Sequence, residues 1–178
     1  ETARFDAIVA EIEAGGLLRA EEEIRGLREA RTVKASPLET AVENYWLSRI
    51  LLLRGRLVEA SGEADRGLMI LGSSGNSELR ISLMILKGEI LYSMNDYKAL
   101  SIILGKLAGE EATLLQEPDL AMEYAALLML SKMLKIGRIS AASIPDEKQL
   151  YRGASPVSAA AYHLARAKTS AGREAEGA

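Results

Sequence analysis

The sequence predicts an all-α fold of antiparallel helical hairpins, and three observations predict it. Apolar residues recur three and four positions apart along most of the chain, as in Phe5, Ile8, Val9 and Ile12 and again in Leu47, Ile50, Leu51 and Val58. The strict apolar–polar alternation of a half-buried strand is absent. Finally, Gly15, Gly55, Asn95 and Gly137 recur at nearly constant intervals, each closing an apolar helix and opening a second one. Glycine and asparagine tolerate the left-handed conformation at a helix C-terminus, so each marks a tight turn between two helices.

The elements follow in order. A first hairpin over 3–31 turns at Gly15. The stretch ASPLET then starts a second hairpin, 37–71, with Ser36 as cap, Pro37 at the first helical position and Glu39 in the first turn. The loop GSSGNSEL separates it from a third hairpin, 77–115, for which Ser77 can act as cap. QEPDL places Pro118 at the start of a fourth, 119–143. An irregular segment, SIPDEKQLYRGASP, leads to a last helix over 156–170 that begins near Pro156. Residues 171–178 are expected to fray, leaving 1–170 as a single domain. The nearly all-apolar helices at 41–53, 79–92 and 120–136 are expected between neighbours, and the amphipathic helix at 57–71 nearer the surface.

Glycines within LLRGRLVEASGEADRGL, positions 52–68, need separate reasons, because each costs about 1 kcal/mol in a helix interior. Gly55 is the turn. Gly67 lies seven positions after Ala60 and is expected where two helices cross closely. Gly62 falls on the exposed face, where nothing in the sequence requires a glycine. Five positions after the turns come Ala20, Ala60, Leu100 and Ala142, with Ala99 keeping a small residue in the third unit. Seven positions before the turns stand Ile8, Ser48, Gly88 and Leu130, so Ser48 is expected to face Ala60 and Gly88 to face Ala99.

Composition narrows the function classes. Of 178 residues, 48% are hydrophobic and 26% charged, the balance of a globular chain rather than a disordered one. The net charge is -3 and basic residues are scattered singly, which argues against direct nucleic-acid binding. With no cysteine there is no disulfide framework and no thiolate, which fits a reducing, cytoplasmic setting. Apolar runs such as YAALLML are far shorter than the roughly 18 residues that mark a membrane span. The chain starts at Glu1 and is expected to be an excised part of a longer protein.

These residues resemble a tetratricopeptide repeat. In LSRILLLRGRLVEASGEADRGLMIL the family's positions fall on Leu47, Ser48, Leu51, Gly55, Leu57, Ala60, Gly67 and Leu68. In LKGEILYSMNDYKAL they fall on Gly88, Leu91, Asn95, Asp96, Tyr97 and Ala99, with one residue missing before the alanine. The interval between turns, longer than the usual repeat of this family, resembles the long-repeat class in sensor regions of LuxR- and MalT-like bacterial regulators. The resemblance covers residues 3–143 and is weakest in the fourth unit. It implies an α-solenoid, a right-handed stack of hairpins that bury a continuous core. The alternative is an irregular helical bundle.

Chemistry is sparse. His163 has no second histidine to join it in a metal site. GSSGNS lacks the lysine of a phosphate-binding loop. Glu21, Glu22 and Glu23, like Glu110 and Glu111, read as solvated helix faces. Most of Met84, Met94, Met122, Met129 and Met133 read as core filler, with an adaptable binding groove as the lesser reading. No catalytic constellation, cofactor motif or metal set is found, so the chain is expected not to be an enzyme.

The resemblance implies a partner-binding concave surface at Tyr45, Arg49, Ser82, Glu89, Tyr92, Tyr124 and Ser131. Tyr45 and Tyr92 either anchor a partner there or pack between hairpins. The carboxylate clamp of some family members is not visible at these positions, which disfavours a reader of C-terminal tails. The expected function is a protein-interaction or scaffold module of a larger regulator, binding a peptide or partner helix. Two others stand beside it: a small-molecule effector sensor, if Tyr45, Arg49, Glu89 and Tyr92 converge on one cavity, and a helical accessory domain of an enzyme. The 156–170 helix either caps the stack or exchanges with a second copy, which would make a homo-oligomer.

Overall fold

A computed structural model describes residues 2–30, 35–72, 76–114 and 116–133. These form eight helices: α1 Thr2–Glu13, α2 Leu17–Glu29, α3 Pro37–Leu53, α4 Leu57–Leu71, α5 Ser77–Ser93, α6 Tyr97–Ala108, α7 Glu111–Leu114 and α8 Pro118–Met133. Among the described residues there is no strand. Gly137, Ala142, His163, the expected helix at 156–170 and the tail at 171–178 lie outside them, as do residues 73–75 of the GSSGNS loop. The chain divides into two compact units, and the boundary falls inside α5, between Leu86 and Lys87.

Backbone geometry at the turns repeats. Gly15, Gly55 and Asn95 have φ of 83°, 72° and 59°, and Asn95 is the one non-glycine residue with positive φ among those described. In each turn this residue donates its N–H to the carbonyl three positions back, at 3.0, 2.9 and 3.1 Å. The next residue donates to the carbonyl five back, Gly16 to Glu11 at 2.8 Å, Arg56 to Leu51 at 2.9 Å and Asp96 to Leu91 at 2.9 Å. This is the Schellman arrangement, which satisfies carbonyls that a helix end would otherwise leave open. The second helices start at Leu17, Leu57 and Tyr97, each two positions after its turn residue.

The helix starts are equally local. Ser36 Oγ accepts the Glu39 N–H at 3.2 Å while Glu39 Oε2 accepts the Ser36 N–H at 2.7 Å, and Pro37 opens α3. At α5 the cap is Asn76, not Ser77: Asn76 Oδ1 accepts the Leu79 N–H at 2.9 Å. Asn76 sits just outside the helix, where its side chain reaches the third amide, whereas Ser77 is already helical. Asp96 does the same for α6, accepting from the Ala99 amide at 3.1 Å. The second helix of the third hairpin breaks at Gly109.

In the first unit α1 packs on α2, α2 on α3 and α3 on α4. Its core includes Ile8, Ala20, Ile24, Ala41, Leu47, Ile50, Leu51, Ala60 and Ala64. Ser48 lies against Ala60 as expected, and its hydroxyl donates to the Ala60 carbonyl at 2.8 Å. Gly67 is a close crossing: a Cβ there would stand 2.9 Å from a Leu83 methyl and 3.3 Å from Asn44 Cβ.

The second unit departs from the expected register. Leu100, fully buried, holds the position of Ala20 and Ala60 as the fourth residue of its helix, and Ala99 is only half-buried. No residue is missing before it. A Cβ at Gly88 would meet Leu100 at 3.5 Å and Leu127 of α8 at 2.4 Å, so leucines rather than Ala99 enforce the glycine. Met84 and Met122 are core residues, but Met94 is 37% exposed.

Gly62 and Gly67 make a matched pair of tests. Gly62→Ala meets only the end of Arg66, at 3.8 Å, and should stabilise by about 0.5–1 kcal/mol through helix propensity. Gly67→Ala should destabilise by about 1–2 kcal/mol, overpacking outweighing the same propensity gain. Urea midpoints of the two variants should therefore move in opposite directions. Equal upward shifts would refute the close crossing.

Candidate interaction surface

Two arginine–carboxylate clusters hold the hairpins of the first unit together. Glu21, on the first turns of α2, has a side chain only 7% exposed. It takes Arg25 of its own helix at 2.8 Å, and Arg54 and Arg56 on either side of the Gly55 turn, Arg56 at 2.8 Å. The expectation of a solvated Glu21 is overturned: hydrogen bonds from three guanidinium groups compensate the loss of water. Glu22 and Glu23 are exposed, as expected. Arg56 also donates from Nε to Glu59 at 2.7 Å. That bond holds the Glu59 carboxyl below its ordinary range, against a smaller opposing effect of burial, and pushes Arg56 up.

The second cluster centres on Arg28. Its Nη2 donates to Asn44 Oδ1 at 2.8 Å and its Nη1 to Glu63 at 3.3 Å, while its Nε lies 3.4 Å from Glu43. One side chain of α2 thereby bonds both helices of the next hairpin. Arg66 pairs with Glu63 from the same helix. The sequence held a signal for this cluster: Glu43 and Asn44 interrupt an otherwise apolar run, and polar groups at core positions require partners.

With its inner side locked by these bonds, by Ser48 and by the Gly67 crossing, α3 leaves one face partly open. Val42, Tyr45, Trp46, Arg49 and Leu53 recur at helical spacing, half-buried except Leu53, which is 56% exposed. The rings of Tyr45 and Trp46 meet edge to face, with centroids 5.2 Å apart and planes at 76°. Trp46, the one tryptophan of the chain, was not among the residues singled out from the sequence. Its place beside Tyr45 and one turn from Arg49 was the available clue.

The other expected site residues are scattered. Ser82 is half-buried and its hydroxyl donates to its own helix, at Glu78, over 3.0 Å. Glu89 and Tyr92 lie one turn apart on α5 and are half-buried. Tyr124 and Ser131 are 4% and 0% exposed, with the Ser131 hydroxyl donated to the Leu127 carbonyl at 2.7 Å. Both are core residues of α8 and offer no surface to a partner. Tyr45 and Arg49 belong to the first unit, Glu89 and Tyr92 to the second. Among the described residues no group of acidic, histidine or cysteine side chains could hold a metal, and no helix is long and apolar enough to cross a membrane. No family model, curated protein or solved structure matches the chain.

Removing Glu21 leaves three guanidinium groups facing one another, so Glu21→Ala should cost about 2–3 kcal/mol, somewhat below a fully buried pair because the arginines keep contact with water. Glu21→Gln, which retains an acceptor, should cost less. Thermal and urea unfolding of both variants would check the order; equal losses would mean that packing, not charge, matters there.

Burial pushes the Tyr92 hydroxyl above its ordinary value of 10.0, and Tyr97 beside it adds to the shift. The neutral form is favoured in the folded state, so its stabilisation is complete below the unfolded pKa and is lost as pH rises through the folded one. In an alkaline absorbance titration, Tyr92→Phe should remove a late-ionising tyrosine. Loss of an early one would contradict the burial.

Proposed function

We propose that this chain is a non-catalytic protein-interaction module, a TPR-like stack of helical hairpins within a larger cytoplasmic regulator, that holds a peptide or partner helix against the open face of α3. The observation that supports the reading most is the run Val42, Tyr45, Trp46, Arg49 and Leu53 on a helix whose opposite side is fixed by buried ion pairs. Tryptophan, tyrosine and arginine dominate binding hot spots because each offers a large, nearly rigid contact area with a polar handle. A face backed by a locked core presents them without further loss of conformational entropy. The three equally spaced Schellman turns favour stacking of equivalent hairpins.

The test is capture from a lysate of the source organism, with wild type beside Tyr45→Ala/Arg49→Ala. A partner held by the wild type and lost by the folded double variant is then titrated against the chain. Because Trp46 is the only tryptophan, its emission should shift on binding if the partner covers α3. A partner that binds both forms equally, or leaves Trp46 emission unchanged, would move the site elsewhere.

A further inference from the structure

The far side of the first hairpin holds a second surface with a different character. Ala7 and Ile8 of α1 and Glu23, Gly26 and Leu27 of α2 line an open depression of about 300 Å³. Glu21 and Arg28 reach toward α3 and α4; Glu23 and Gly26 lie about half a turn away on the same helix, on the side nothing covers among the described residues. The floor is apolar, and the rim formed by α2 is acidic, with Glu22, Glu23 and Glu29 exposed and Arg25 drawn off to Glu21. Arg19 stands 3.9 Å from Glu23, an exposed pair that a better-placed cation would displace at little cost.

The chain supplies its own precedent for the occupant. Glu23 is the seventh residue of α2 and Glu63 the seventh of α4, the second helices of successive hairpins. Glu63 accepts the guanidinium of Arg28 from the neighbouring helix α2 at 3.3 Å. Glu23 thus presents the same carboxylate, in the same register, to whatever packs on the other side of hairpin one.

We propose that this groove docks a basic amphipathic helix of a partner protein, which sets an arginine against Glu23 and lays its apolar side on Ala7 and Leu27, above the buried Ile8. Gly26 sets the room available: a Cβ there would meet nothing within 4 Å, so a side chain at this position fills the groove without disturbing the hairpin.

The probe is a fluorescein-labelled helical peptide with leucine and alanine on one face and arginine along its border, titrated by anisotropy into the full chain, with a second peptide carrying glutamate in place of arginine. Saturable binding of the arginine peptide alone is expected. Gly26→Leu should weaken it about tenfold or more by occlusion. Glu23→Gln should weaken it about two- to fivefold, whereas Glu59→Gln, an equal charge change elsewhere, should not. Gly26→Leu must also unfold no earlier than wild type. Trp46→Ala/Arg49→Ala should bind the probe normally, since this groove does not depend on α3, and that arm separates failure here from failure there. The proposal is overturned if the peptide fails to bind, if binding ignores Gly26→Leu, or if Glu23→Gln and Glu59→Gln act alike. Self-association of the chain alone, abolished by Gly26→Leu, would overturn it by making a second copy the occupant.

Discussion

A guanidinium group that ties three helices together is the constraint on which the first unit depends. Glu43 and Glu63 are carboxylates with side chains 1% and 8% exposed, and a buried charge without compensation is among the most costly groups a core can hold. Arg28 supplies donors in a fixed planar fork, and only one placement of α2 brings them to Asn44, Glu43 and Glu63 together. Apolar packing alone would tolerate α2 slipping along the α3–α4 hairpin, because dispersion is insensitive to direction. Slippage here strands charges. Glu21 adds a second pin by gripping both sides of the Gly55 turn, so the two hairpins are registered at two points along α2.

Within the hairpins, register is kept by size instead of charge. The paired positions are Ile8 with Ala20, Ser48 with Ala60 and Gly88 with Leu100, each pair spanning its turn with the same separation in sequence. Where the second helix carries alanine, the first can keep a side chain; where it carries leucine, the first has been reduced to glycine. Close-packed interiors enforce such compensation, since an extra methyl at fixed backbone spacing has nowhere to go. The backbone turns tolerate this exchange because their geometry is set locally by positive φ and two hydrogen bonds, independent of what packs above them.

The same division explains the open face of α3. A helix whose inner side is bonded to α2 and α4 cannot rotate to hide Trp46 or Leu53, so aromatic and apolar groups remain at the surface in a defined arrangement. Surface apolar residues scattered singly need no explanation, but a stripe that runs along one helix does.

Much of the fold was legible because its causes are local. The turns at Gly15, Gly55 and Asn95, the Ser36 capping box, Pro118 at the start of α8 and the close approach at Gly67 each follow from the conformational freedom or bulk of one residue and its immediate neighbours. The site was less legible. Tyr124 and Ser131 sit at the same helical spacing as an exposed stripe would, and only neighbouring helices decide that they are core. Glu21 belongs to an acidic triplet that reads as solvated, and its burial depends on Arg54 and Arg56, which belong to the next hairpin. By itself, then, the sequence determined where helices begin, end and reverse, since hydrogen bonds between near neighbours settle that. Which charges are buried, and which face of α3 is left open, was decided only by the tertiary structure, because both depend on groups distant in sequence meeting where water is excluded.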